Sequence, residues 1–140
     1  MPHRLIFALA RVQQRLTAHL KKRIEEEGIK LSPGQTGIML VLENRGQTTM
    51  GDLSQTLEID NAAITRLVDK LEKQHLVERT INPDDRRQIL ITITEKGRSQ
   101  AEIVKQIAKA TNQQMVQGFS AEEVSIYQRI NQAIIQRFSE

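Results

Sequence analysis

One stretch constrains this chain more than any other: Asp60 to Gln74, reading DNAAITRLVDKLEKQ. Its spacing predicts a single amphipathic helix. Asp60 suits the N-cap, because its carboxylate can accept from the first free N–H groups of a helix. Ile64, Leu67, Val68 and Leu71 recur at the three-and-four spacing of one buried face. The opposite face carries Asn61, Ala62, Thr65, Arg66, Asp69 and Lys70. Small and hydrogen-bonding groups near a helix N-terminus are what a base edge in a major groove accepts. Taken alone, such a helix is more often an ordinary surface helix with a solvated polar face. The sequence on either side shifts that balance.

Upstream, Thr49 to Leu57 (TMGDLSQTL) predicts a second short helix. Thr49 is placed as its N-cap, with Asp52 three residues on, close to a capping box, and Leu53 and Leu57 point inward. Glu58 and Ile59 leave room only for a tight turn before Asp60. Two short helices joined this way, the second with a polar face, form a helix-turn-helix. Downstream, Leu76 to Thr80 and Gln88 to Thr94 predict two strands, with Ile89, Ile91 and Ile93 on one face. The intervening INPDDRR, Ile81 to Arg87, is turn chemistry with a charged tip. A helix-turn-helix followed by such a hairpin is a winged helix, and the combination is far more specific than its parts.

The rest of the chain supplies helices around that unit. Leu5 to Gly28 carries an apolar stripe of Leu5, Leu9, Val12, Leu16, Leu20 and Ile24, with Gly28 as the C′ residue. Its charges, including Arg11, Arg15, Lys21, Lys22, Arg23 and the run Glu25 to Glu27, read as a solvated surface rather than a membrane-surface face. Ser32, Pro33 and Gln35 open a second helix that Gly46 ends. Inside it, Gly34 and Gly37 either weaken the helix or permit close packing. A long helix follows Thr94, and Ser120 with Glu123 opens a last one bearing Val124, Tyr127, Ile130, Ile134 and Phe138. The expected fold is mainly α: six helices plus a β-hairpin wing. Residues 32–96 form the DNA-binding winged helix-turn-helix, and residues 1–31 and 97–140 a helical dimerisation region. A winged helix of roughly 65 residues cannot cover all these stripes, and a second copy would. A symmetric dimer also sets two recognition helices about 34 Å apart on one face of a duplex, as a palindrome requires.

Composition narrows the function. Twenty basic and 17 acidic residues leave a formal charge of +3, too little to hold DNA unless the cations are well placed. Without cysteine, disulfides, thiol nucleophiles and thiol redox sensing are excluded. His3, His19 and His75 lie far apart, with no metal-ligand spacing, and His75 reads as a charge at the end of the recognition helix. No phosphate-binding glycine loop or catalytic carboxylate pair is present, so nothing points to an enzyme, a cofactor or a metal. No apolar run is long enough to cross a membrane and no cleavable signal is apparent, so a cytoplasmic location is expected.

The wing reads Asp85-Arg86-Arg87, then QILIT, then Ile93-Thr94. With ITEKG after it and AITRLVDKLEKQHLVER before it, the chain from Leu31 onward resembles the MarR family of bacterial transcriptional regulators. The family wing pattern is D-x-R, five residues, then L-T, and Ile93 replaces the leucine. The resemblance implies an intertwined homodimer, a palindromic double-stranded DNA operator, and a small molecule or other signal that often weakens binding. It also implies that Arg87 enters the minor groove, that Arg86 lies near phosphates, and that Asp85 is structural, pairing with Arg79 across the base of the wing. A narrow minor groove attracts arginine, which agrees.

On the recognition helix, Thr65 and Arg66 are the base-or-phosphate candidates, with Lys70 beside them. Asn61, Ala62 and Ala63 let the helix N-terminus approach closely. Ser54 and Gln55 on the preceding helix are placed at phosphates. A ligand pocket is expected from Leu9, Val12, Leu16, His19, Ile38 and Met39, although each taken singly is more often plain core. The expected function is a homodimeric, ligand-modulated, sequence-specific regulator, most simply a repressor. The alternatives are an architectural DNA-binding protein of little specificity and a protein-interaction dimer that has lost operator binding.

Overall fold

The structure, a computed structural model, describes residues 3–139. In chain order its elements are α1 (His3–Glu26), α2 (Pro33–Arg45), β1 (Gln47–Thr49), α3 (Met50–Leu57), α4 (Asn61–Lys73), β2 (Val77–Ile81), β3 (Ile89–Ile93), α5 (Glu95–Val116) and α6 (Ala121–Arg137). These are the six helices and the hairpin expected from the sequence, plus a short strand, β1, that was not expected. The sheet is antiparallel with order β1-β3-β2, so β3 is central. Thr48 of β1 and Arg79 of β2 both pair with Ile91.

Short-range caps set most element ends. Ser32 and Gln35 satisfy each other's backbone N–H groups at the start of α2, and Ser120 and Glu123 do the same at α6. The Asp60 carboxylate accepts the Ala63 N–H at 2.9 Å, and Thr49 accepts the Asp52 N–H at 3.0 Å. Thr94 starts α5, accepting the Gly97 N–H at 3.0 Å while donating its hydroxyl to the His75 carbonyl at 2.7 Å. Gly28, at φ 74°, follows α1 in the left-handed backbone expected of a C′ residue. More unusual are two non-glycine residues in that region: Glu58 (φ 53°) between α3 and α4, and His75 (φ 60°) after α4. His75 is thus a backbone turning point.

The chain divides into two compact units, one running to Ala108 and one from Lys109. The core of the first joins Ile38, Met39 and Leu42 of α2, Leu53 of α3, Ile64, Val68 and Leu71 of α4, and Leu76, Val77, Ile91 and Ile93 of the hairpin region. It also takes in Ile24, Ile29 and Leu31 at one end and Ala101, Val104 and Ile107 at the other. The apolar core therefore crosses both boundaries expected for the winged domain, at 31/32 and 96/97. Those six flanking side chains close the core. Leu67, expected on the buried face of α4, is only partly buried, and it packs where a Cβ on Gly34 would stand 2.8 Å from its Cδ1. Gly37 likewise faces Leu57. These two glycines serve close helix approach.

Other apolar side chains stay uncovered. On α1, Leu5, Ile6, Phe7 and Val12 are exposed. In the second unit no side chain of α6 is buried, and Ile126, Tyr127, Ile130 and Ile135 are exposed, as is Phe138 at its C-cap. The charges near the end of α1 pair along the surface, Lys21 with Glu25 at 4.0 Å and Arg23 with Glu26 at 3.5 Å. No described helix is long and apolar enough to cross a membrane.

Candidate nucleic-acid interface

Helix α4 buries Ile64, Val68 and Leu71 and turns Asn61, Ala62, Thr65, Arg66 and Lys70 to solvent. Ala63 is half-buried beneath them. Among the described residues no ion pair engages Arg66, so its guanidinium is free for an external acceptor. Thr65 donates to the Asn61 carbonyl one turn back at 2.9 Å, an exposed bond that a ligand acceptor can replace.

The acidic residues of α4 face another way. Arg79, on β2, binds the carboxylates of both Asp69 and Glu72. Its Nη2 lies 3.2 Å and its Nε 3.4 Å from Glu72 Oε1, and its backbone N–H donates to Glu72 Oε2 at 3.3 Å. Hydrogen bonding to Glu72 raises the guanidinium above its ordinary pKa; burial opposes this and Asp69 adds to the rise. This corrects the expected Arg79–Asp85 bridge. The chain leaves α4 through the tight turn at His75, so the face of β2 that carries Arg79 looks back onto α4. Asp85 lies six residues further on, beyond the last ladder pair, Ile81 with Ile89. The spacing Asp69-x-x-Glu72 puts both carboxylates on one side of α4. That spacing, with an arginine one turn and a strand start later, was the signal available in the sequence.

Asp85 is instead structural within the tip. Its side chain accepts the Arg87 N–H at 3.1 Å, and its carbonyl accepts the Gln88 N–H at 2.9 Å. The Asn82 side chain accepts the Asp84 N–H at 3.0 Å and donates to Gln88 Oε1 at 2.9 Å. Such side-chain-to-backbone bonds give a turn a defined shape without a sheet ladder. Arg86 is exposed, and the Arg87 side chain is 96% exposed, with Asp85 no nearer than 3.7 Å. The recognition helix and the arginine-bearing wing are therefore joined through Arg79 as well as through the chain.

Ser54 does not fit its expected role at a phosphate. It is half-buried, and its only donor is spent on the Ile59 carbonyl at 2.6 Å, holding the turn between α3 and α4. A phosphate oxygen needs a donor, and Ser54 has none left. Gln55, its neighbour, is exposed.

The expected ligand-pocket residues are not gathered in one place. Ile38 and Met39 are fully buried in the core. Leu9, Leu16 and His19 are half-buried on α1, and the His19 Nε2 is buried without a hydrogen-bond partner. Val12 and Leu16 share an open concavity with Ala8, Arg11 and Arg15. A separate cavity of about 90 Å³ lies between α1 and α2, lined by Leu20, Ile24, Leu31, Pro33 and Thr36 among others. Sites for drug-sized ligands run to roughly 300–1,000 Å³.

Residues 31–89, which run from the start of α2 through the wing tip, match the family model described as the MarR family. Over that segment, 59 of the 140 residues, the chain resembles the MarR family. It is 28% identical to the HTH-type transcriptional regulator MhqR of Bacillus subtilis, over 88% of this chain and 83% of that one. It is also similar to the solved structure of BpsR from Bordetella bronchiseptica (26% identity, TM-score 0.78, 93% and 98% of the two chains). That structure addresses how 6-hydroxynicotinic acid regulates DNA binding by BpsR. A mutant of MarR from E. coli complexed with operator DNA shares the fold at TM-score 0.83 and 23% identity, over 94% and 93% of the chains.

Proposed function

We propose that this chain is a MarR-family, DNA-binding transcriptional regulator that acts as a homodimeric repressor on a palindromic operator and is modulated by a small molecule. One observation carries the DNA part. The free Arg66 on the polar face of α4 and the outward Arg86 and Arg87 of the wing belong to two elements that Arg79 ties together. On this reading Arg66, Thr65 and Asn61 face the major groove, Gln55 and Arg86 meet phosphates, and Arg87 enters the adjacent minor groove. The solved MarR relative was complexed with operator DNA, which supports the same mode of use here.

The uncovered apolar side chains of α1 and α6 support the dimer, since surfaces of this kind seek a second copy. BpsR supports ligand modulation, because 6-hydroxynicotinic acid, a small aromatic acid, regulates its DNA binding. In this chain the concavity at Val12 and Leu16 is the proposed site, and a ligand there acts only by favouring one spacing of the recognition helices over another. A cytoplasmic location goes with this reading. The test is a gel shift with the DNA upstream of the chain's own gene, at two salt concentrations and with excess random duplex. A specific shift at two chains per duplex establishes the reading. A shift that random duplex abolishes supports an architectural protein, and no shift at low salt supports a protein-interaction dimer.

A further inference from the structure

The wing carries an apolar pair that the core does not cover. Ile81 and Ile89 are directly opposed across β2 and β3, yet they are 64% and 41% exposed. Opposed residues share a face of a hairpin, and so do alternate residues along each strand. One face of this hairpin therefore runs Val77 with Ile93, Arg79 with Ile91, then Ile81 with Ile89. Val77, Ile93 and Ile91 are buried in the core, and Arg79 is tied to α4. The isoleucine pair continues this face past the edge of the core, toward the tip that holds Arg86 and Arg87.

The tip has no net charge with which to hold DNA: Asp84 and Asp85 balance Arg86 and Arg87. The two acidic side chains offset part of the pull of the arginines on phosphate, so a contact of another kind beside them would add to what the arginines supply. The walls of a minor groove are lined with deoxyribose carbons, which offer an apolar surface to an apolar side chain.

We propose that Ile81 and Ile89 form an apolar contact with the deoxyribose wall of the minor groove next to the point where Arg87 enters. The proposal rests on the reading of this chain as a winged-helix DNA binder. The pair adds affinity that does not depend on salt and sets how deeply the tip sits.

The experiment compares full-length wild type, the double variant Ile81→Thr/Ile89→Thr, the double variant Ile81→Val/Ile89→Val, and Arg87→Ala. Each is titrated against a duplex selected by the wild type from a randomised pool, over a series of salt concentrations. Threonine and valine keep the β-branched shape that the strands favour, so the hairpin is retained. The threonine pair should bind about fivefold to fifteenfold more weakly at every salt concentration, the equivalent of one to two buried methylenes, with an unchanged salt slope. The valine pair should fall between it and wild type. Arg87→Ala should weaken binding and flatten the slope. Wild-type affinity in the threonine variant, a changed slope, or a changed oligomeric state by sedimentation would each overturn the proposal. A wild type that selects no duplex removes the DNA-binding reading as well, whereas a binding wild type with an unaffected threonine variant removes only this contact.

Discussion

Replacing Gly97 with alanine sets two effects of opposite sign against each other, and the structure decides which wins. Gly97 lies in the first turn of α5 with an ordinary negative φ, so helix propensity alone predicts that alanine stabilises by about 0.5–1 kcal/mol. A Cβ there would stand 2.8 Å from Ile93 Cγ1 and 3.1 Å from the Leu76 carbonyl carbon, with the Leu76 carbonyl oxygen closer than either. Two of these three atoms are backbone, so no rotamer change relieves the overlap. The crowded oxygen also accepts the Thr94 N–H at 3.1 Å, so moving it strains the hydrogen bond that joins the start of β2 to the start of α5. Overpacking of this kind costs about 1–3 kcal/mol, and a weakened buried hydrogen bond adds roughly 1 kcal/mol. The net expectation is a loss of about 1–3 kcal/mol, or roughly 3–12 °C in Tm for a chain of this size. Gly51 is the internal control. It is also helical with ordinary φ, but its nearest neighbour would be Thr49 Oγ1 at 4.0 Å, so Gly51→Ala should stabilise by about 0.5 kcal/mol. Urea and thermal unfolding followed by circular dichroism, at one protein concentration, measure both. Gly97→Ala at or above wild-type stability would refute the steric reasoning.

Other consequences are equally direct. Arg79→Met should cost about 1–2 kcal/mol, because it leaves Asp69 and Glu72 as neighbouring like charges, and Arg79→Lys should recover less than half, lacking the guanidinium fork; denaturant midpoints decide. His75→Gly should stabilise by about 0.5–1 kcal/mol, since glycine occupies the left-handed backbone without a Cβ penalty; an unchanged Tm would place the strain elsewhere. The Lys105 ammonium is raised above its ordinary pKa by its hydrogen bond to Glu43, at 2.9 Å. Its contribution is therefore complete below the ordinary lysine value and is lost as pH rises through the raised one. Stability profiles of wild type and Lys105→Gln should be offset by a constant amount through neutral pH and converge only in strongly alkaline solution.

What could be read from the sequence was what neighbouring residues settle between themselves. The caps at Ser32, Thr49, Asp60 and Ser120 each involve a partner three residues away. The apolar spacing of α4 and the turn residues between β2 and β3 are equally short-range, which is why the winged helix, and with it the exposed polar side of α4, was apparent without coordinates. Choices among distant partners were not. Strand β1 is three residues of Gln-Thr-Thr with no pattern of its own, and it exists because β3, more than 40 residues later, offers an open edge. Arg79 could have met Asp85, but the turn at His75 brought it to Asp69 and Glu72. Ser54 could have met a phosphate, but the Ile59 carbonyl of its own turn took its only proton. Gly34, Gly37 and Gly97 are indistinguishable in sequence from weak points in helices, and only the packed neighbours separate them: Gly34 and Gly37 lie against the ends of Leu67 and Leu57, whereas at Gly97 the Leu76 backbone leaves a side chain no room. A bond within one helical turn competes with few alternatives, whereas a contact across the fold depends on which surfaces the chain has already brought together.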